Sequence, residues 1–190
     1  MRALIMVSLA TLTFGCAPIT QEECLAGDWQ SIGLRDGQAG RVADQVLARH
    51  VGICARAGVV PDRDLWRRGY AAGLLRYCTP LSGLEEGRRN TRYRDVCPAE
   101  SEPGFLRGYE LGQLAHAQEA EIRQIEREIS ELERRNAALR PGDPDADNTA
   151  VLQEIAANRS RISFLRLDLL RARTELSRIE REIRAFRAGL

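Results

Sequence analysis

Residues 66–78 read WRRGYAAGLLRYC, in which two glycines stand four positions apart shortly after a tryptophan. Residues four positions apart lie on the same face of an α-helix, so Gly69 and Gly73 predict a helix with a bare strip along one side. Each glycine costs about 0.8–1 kcal/mol of helix stability relative to alanine. We therefore expect a second helix to approach this strip closely, with aromatic side chains filling the space beside it.

The same Gly-x-x-x-Gly pattern recurs in the first half of the chain. Residues 33–37 follow Trp29, residues 108–112 follow Phe105, and a weaker copy lies at 83–87. The pattern also occurs in membrane helices, but these segments are too polar for a bilayer. It predicts a core of closely packed helices. The alternative is a face that binds the cell wall or a small ligand, formed by Trp29, Asp36, Trp66, Tyr70 and Tyr109.

Patterns of apolar residues and helix-capping residues predict that this half of the chain is helical. We expect helices over residues 26–38, 41–57 and 61–77, with Asp62 as the N-cap of the third. Proline, glycine, asparagine and aspartate over residues 79–100 predict a loop, with room for a short helix at 83–89. The sequence therefore predicts an all-α protein.

The N-terminus has the features of an export signal. Residues 1–16 read MRALIMVSLATLTFGC, an arginine and an apolar run that ends in Gly-Cys. The run is shorter than the roughly 20 residues that span a bilayer, and it is typical of a secretory signal. Its end resembles a bacterial lipobox, which implies removal of residues 1–15, lipidation of Cys16 and a tether over 16–23. Ala17, in place of aspartate, favours the periplasmic face of the outer membrane. The alternative is an ordinary signal peptide.

Four further cysteines remain in the expected mature chain, all before residue 98. An even number in an exported protein predicts two disulfides. Free thiols and a zinc site are the alternatives, although no Cys-x-x-Cys spacing is present. The cysteines are Cys24, Cys54, Cys78 and Cys97.

The order of the predicted helices favours one disulfide pairing. If successive helices run antiparallel, Cys24 and Cys54 lie at the same end of the bundle. Cys78 then lies at the other end, about 24 Å from Cys54, whereas a disulfide needs Cα atoms within about 7 Å. We therefore predict Cys24–Cys54 and Cys78–Cys97.

Other residues of this half stand at characteristic spacings from the glycines and cysteines. They include Asp28, Gly40, His50, Pro61, Leu74, Tyr77, Tyr93, Val96 and Pro98. In this pattern residues 24–112 resemble the bacterial family known as domain of unknown function 2799, with Trp66 where the family pattern has tyrosine. The resemblance implies an envelope protein, often a lipoprotein, and implies no reaction.

The remaining residues, 113–190, predict a coiled coil. Apolar residues such as Ile122, Ile125 and Ile129 recur with heptad spacing between arginines and glutamates. Two prolines and a glycine interrupt the pattern at about 140–149, which predicts an antiparallel hairpin. We expect Leu139 opposite Val151, Leu132 opposite Asn158 and Gly108 opposite Glu182. Self-association between chains is an alternative to pairing within one chain.

Composition and motifs argue against several functions. All 28 basic residues are arginine, and 27 acidic residues leave a net charge of +1, so we expect no nucleic-acid binding. The two histidines, His50 and His116, fit no known catalytic motif. We therefore expect neither an enzyme nor a metal or other cofactor. The arginines of residues 151–190 fit ion pairs within the hairpin, or alternatively contact with anionic lipid.

These features together predict a non-enzymatic scaffold of the cell envelope. The lipid on Cys16 would hold it to the membrane, and residues 113–190 would contact a protein partner or a second copy. The alternative function is binding of the cell wall or a small ligand through the glycine and aromatic faces.

Overall fold

The computed structural model describes residues 19–140 and 147–190, and these residues form helices without strands. The predicted signal peptide, Cys16 and residues 141–146 of the predicted loop lie outside them. The all-α class is confirmed, with a disulfide-stapled helical domain followed by a long antiparallel hairpin. The helices are α1 (Gln21–Ala26), α2 (Trp29–Gln38), α3 (Ala43–Cys54), α4 (Arg63–Tyr77), α5 (Pro80–Arg88), α6 (Glu102–Ala138) and α7 (Thr149–Ala188).

Helices α2 and α4 pack in parallel through their glycines. A Cβ atom at Gly69 would overlap the backbone carbonyl of Gln30, and one at Gly33 would overlap the carbonyl of Trp66. A Cβ atom at Gly37 would lie 3.0 Å from the Cα atom of Gly73. The two backbones are thus in direct contact, which only glycine permits.

Helices α5 and α6 repeat this arrangement. A Cβ atom at Gly83 would overlap the carbonyl of Phe105, and one at Gly108 would overlap the carbonyl of Pro80. The four copies of the glycine pattern therefore form two similar helix pairs. Residues 80–88, expected largely as loop, are a full helix because Pro80 occupies its first position and Thr79 caps it, accepting a hydrogen bond from the Ser82 amide at 3.1 Å.

The N-terminal segment differs from the prediction. Thr20 and Glu23 form a capping box that starts α1, and Ile19 is already buried. Residues 19–23, expected in the tether, therefore belong to the folded domain. The helix expected over 26–38 is divided in two because Gly27 takes a left-handed conformation at φ 68° and Asp28 caps α2.

Two disulfides close the domain: one joins α1 to the end of α3, and the other joins the end of α4 to the segment between α5 and α6. Cys24 bonds to Cys54 and Cys78 bonds to Cys97, each with Cα atoms 5.5 Å apart. These are the two pairs that the helix order predicts. Cys24 lies within α1 rather than at the start of α2, and Cys54 ends α3 at the same end of the domain.

Peptide mapping of the exported protein without reduction should recover only these two cross-linked pairs. Removing either pair by a double substitution to serine should lower the free energy of unfolding by roughly 2–4 kcal/mol, because the unfolded chain gains freedom. Recovery of a peptide that joins Cys54 to Cys78 or Cys97 would contradict the arrangement of α1, α3 and α4.

The hairpin of α6 and α7 pairs one helical turn away from the expected register. Asn158 donates a side-chain hydrogen bond to Asn136 at 2.8 Å, so Asn136, and not Leu132, lies opposite Asn158. The other predicted pairs shift by the same turn. In this register the heptad positions of α6 meet those of α7 along the hairpin, and the two asparagine amides bond each other. The core residues are Ile125, Ile129, Ile162, Leu165 and Ala172.

The hairpin and the domain share a core, although the composition changes near residue 112. Helix α6 runs without a break through that position. Leu84 of α5 packs with Ala115, Ile179 and Ile183. His116 on α6 donates from Nδ1 to the carbonyl of Arg88 at 3.0 Å. The base of the hairpin is therefore fixed to α5.

Candidate functional site

The most concentrated chemistry of the domain surrounds one buried carboxylate. Asp36 on α2 is 1% exposed. Its Oδ2 accepts hydrogen bonds from His50 Nε2 at 2.8 Å and from Trp66 Nε1 at 2.9 Å. Its Oδ1 accepts from the Arg41 guanidinium at 2.7 Å. We call these four residues the Asp36 cluster.

The glycine contact between α2 and α4 positions this cluster. Because the two backbones touch beside Asp36, the indole of Trp66 reaches from α4 to the carboxylate on α2. Tyr70 stacks on Trp66 with ring centroids 4.9 Å apart, and its hydroxyl donates to the carbonyl of Arg41 at 2.6 Å. His50 comes from the buried side of α3. The cluster thus links α2, α3 and α4.

The electrostatics of the cluster favour a charged carboxylate. Burial by itself would raise the pKa of Asp36. The hydrogen bonds from His50 and Trp66 and the positive charge of Arg41 outweigh burial, so the pKa lies below its ordinary value. A carboxylate only accepts hydrogen bonds, so His50 Nε2 carries a hydrogen. His50 Nδ1 is buried and has no hydrogen-bond partner among the described residues.

The geometry of the cluster gives it a structural role. Asp36, His50 and Trp66 are all buried, so a substrate cannot reach the carboxylate or the imidazole in this conformation. Within the described ranges, no three acidic, histidine or cysteine side chains are grouped to hold a metal ion. The hydrogen bonds to the Asp36 carboxylate connect α2, α3 and α4.

A second group of aromatic residues fixes the segment between α5 and α6. The rings of Tyr77, Tyr93 and Tyr109 surround Phe105, which is fully buried. The Tyr93 hydroxyl donates to Glu102 at 2.8 Å, and burial chiefly raises the pKa of Tyr93 to about 12. Tyr109 donates to the carbonyl of Thr91 at 2.8 Å. Together with the Cys78–Cys97 disulfide, these contacts hold residues 89–101 against the domain.

The structure places the proposed binding-face residues in the interior. Trp29, Asp36, Trp66 and Tyr70 are buried, and Tyr109 is half-buried. These residues fill the space beside the glycine contacts between the helices. They therefore do not form an exposed face.

The sequence does not reveal that His50, Asp36 and Arg41 are bonded to one another. His50 and Asp36 both stand in the pattern that resembles the family, but it does not show that they are bonded. Arg41, which follows the Gly40 turn at φ 58°, gave no signal. The parallel packing of α2 and α4 is needed to bring these residues together.

Exposed apolar surface lies on the hairpin. On the side of α7 that faces away from α6, Phe164 is 61% exposed, Leu167 53% and Leu170 61%. At the base, Leu114, Phe186 and Leu190 line an open groove of about 540 Å³, where the Arg107 guanidinium lies 5.8 Å from the centre of the Phe186 ring. Large exposed apolar groups that follow one helix face are typical of interaction surfaces.

One protein family matches part of the chain. Residues 28–114 match the family described as "Protein of unknown function (DUF2799)". Neither the curated proteins nor the solved structures contain a significant match to the chain. Over the described ranges, no helix combines the length and apolar character that crossing a membrane requires.

Proposed function

We propose that this chain, whose residues 28–114 form a domain of the DUF2799 family, is a lipid-anchored, non-enzymatic scaffold of the cell envelope. The hairpin is the observation that carries the proposal. Helix α6 has 37 residues and α7 has 40, so the two helices are about 55–60 Å long including the base that packs on α5, and α7 exposes apolar side chains along its outer side. A projecting arm of this kind suits contact with a protein.

The N-terminal segment supports an anchored arrangement. Ile19 is buried in the domain, so only Ala17 and Pro18 separate it from the proposed lipidated cysteine, Cys16. Three peptide units reach at most about 10 Å. A lipid on Cys16 would therefore hold the domain directly at the membrane surface, at the periplasmic face of the outer membrane in this proposal.

Replacing Cys16 with alanine should release the protein into the soluble periplasmic fraction. The reason is that stable anchoring requires the acyl chains that this cysteine would carry. Cell fractionation and the intact mass of the mature protein measure the effect. Ala17→Ser is the matched control and should remain in the membrane. A Cys16→Ala protein that stays membrane-bound with an unchanged mass would contradict lipidation.

The buried polar groups support a role without catalysis. The Asp36 cluster has the residue types of an acid–base site, but its carboxylate already accepts three hydrogen bonds and is shielded from solvent. The two disulfides and the glycine contacts make the domain a rigid base. Rigidity at the base keeps the hairpin in one direction relative to the anchor.

A shortened hairpin tests the proposed function. Replacing residues 126–168 with a short Gly/Ser loop removes the outer part of both arms and keeps the layers nearer the base, including Ala115 and Ile179 over Leu84. Affinity capture from crosslinked cells should then lose its partner, whether another protein or a second copy. Unfolding of the variant should still be cooperative. Undiminished capture by this folded variant would refute a scaffold role for the hairpin.

A further inference from the structure

We infer that the outer side of α7 binds the same surface of a second copy of this chain in an antiparallel orientation. This inference rests on the proposed scaffold function and specifies its partner. The surface lies opposite the hairpin core, and its residues follow heptad spacing. We call it the outer stripe, and it consists of Ser160, Ser163, Leu167, Leu170, Thr174 and Ser177.

The outer stripe has the character of a helix–helix contact. All six residues are exposed and uncharged. Three of its four hydroxyl groups are bonded within α7: Ser163 donates to the carbonyl of Arg159 at 3.0 Å, and Thr174 donates to that of Leu170 at 2.9 Å. Ser177 likewise donates to the carbonyl of Arg173 at 2.9 Å. Covering the stripe would therefore bury small side chains and two leucines without stranding these hydroxyl donors.

The order of residues in the outer stripe favours a second copy of the chain as the partner. The stripe reads nearly the same in both directions about a point between Leu167 and Leu170. A twofold axis at that point places Leu167 against Leu170 of the second copy, Ser163 against Thr174, and Ser160 against Ser177. A twofold interface needs this kind of self-complementary surface. The axis also passes through the middle of α7, which spans Thr149–Ala188, so the two arms overlap along their length.

The flanking residues are compatible with this arrangement. On one side, Phe164 would meet Arg171 of the second copy, a pairing that favours a cation–π contact. On the other side, Arg159 would meet Glu180, an acidic residue that also pairs with Arg88 of its own chain. Arg166 would approach Arg173, but within each chain these arginines pair with Glu133 at 3.0 Å and Glu126 at 2.8 Å. Their repulsion is thereby reduced.

The same ion pairs disfavour a lipid surface as the partner. Contact with anionic lipid needs arginines whose charge is available. Arg161 pairs with Glu128 at 2.8 Å, and Arg166 and Arg173 pair with glutamates of α6 as described. Beside the leucines, Arg171 pairs with Asp168 at 3.2 Å. The side chains next to the stripe therefore offer little net positive charge.

The oligomeric state of the full mature chain tests the inference. The Cys16→Ala protein, purified from the periplasm, should sediment as a dimer at micromolar concentration, and Leu167→Glu with Leu170→Glu should make it a monomer with unchanged helix content. Leu75→Glu is the matched control, because Leu75 is 73% exposed on α4, and it should remain a dimer. A monomeric parent protein, or a dimer that the double variant does not weaken, would overturn the inference.

Crosslinking tests the orientation. Oxidation should form a disulfide between Ser163→Cys protein and Thr174→Cys protein in a mixture but not within either variant alone, because equal positions would lie about 16 Å apart along antiparallel helices. Efficient self-crosslinking of each variant alone would indicate a parallel pair and would overturn the antiparallel arrangement. A monomeric protein whose outer stripe binds anionic phospholipid vesicles would overturn the inference of a second copy. If the protein is monomeric but the 126–168 replacement still abolishes partner capture, the second copy is excluded and the scaffold function stands.

Discussion

Replacing Gly69 with alanine should destabilise the protein by about 3 kcal/mol or more. The added methyl group would overlap the backbone carbonyl of Gln30, which cannot move without separating α2 from α4. The parallel contact would then be lost along its length, together with the indole hydrogen bond to Asp36. Urea unfolding with the disulfides intact measures the change.

Gly52→Ala is the matched control for this prediction. Gly52 also lies within a helix, α3, but among the described residues no atom beyond its chain neighbours and the adjacent backbone of α3 lies within 4 Å of the position of its added Cβ. Alanine there should stabilise the protein by about 0.5–1 kcal/mol, because alanine favours the helix and restricts the unfolded chain. Equal effects of the two substitutions would show that α2 and α4 are not in backbone contact.

Asp36→Asn should destabilise the protein by about 3–5 kcal/mol at neutral pH. Asparagine removes the negative charge that compensates Arg41 in a half-buried site. Its NH2 group also replaces one of the two accepting oxygens, so it faces a hydrogen-bond donor of Arg41, or those of His50 and Trp66, that it cannot accept from. Asp44→Asn is the control, since Asp44 is exposed on α3 and should change stability little.

The pH dependence of Asp36→Asn gives a second measurement. Because the pKa of Asp36 is lowered in the folded state, its stabilisation is complete above the ordinary aspartate pKa of about 4. It is lost as the pH falls through the lower folded value. The difference in stability between the parent protein and Asp36→Asn should therefore shrink in acid. A constant difference from neutral pH to strong acid would show that the carboxylate charge contributes nothing.

Local patterns in the sequence were sufficient for the class of fold. Glycine spacing identified helices that touch, and heptad spacing identified the hairpin, because both depend on residues within a few turns of one another. The capping box of Thr20 and Glu23 was equally local, but assigning those residues to a tether concealed it. Thr79 and Pro80 at the start of α5 were missed in the same way.

Features that depend on distant residues could not be predicted in this way. Residues 36, 41, 50 and 66 are brought together only by the parallel packing of α2 and α4, and glycine spacing does not specify that direction. The hairpin register depends on which core residues of α6 and α7 face each other. Folding the chain at the predicted loop gave a register that differs by one helical turn from the observed one. The Asn136–Asn158 hydrogen bond shows the register directly.

Photocrosslinking in living cells tests the scaffold function most directly. A photoreactive amino acid in place of Leu167 should give a crosslinked product with the full-length chain in its native location, because the outer side of α7 would be covered by its partner. The same amino acid in place of Leu75, which is more exposed on α4 than Leu167 is on α7, should give none. A product at position 75 with none at position 167 would contradict the proposal that the hairpin is the interaction surface.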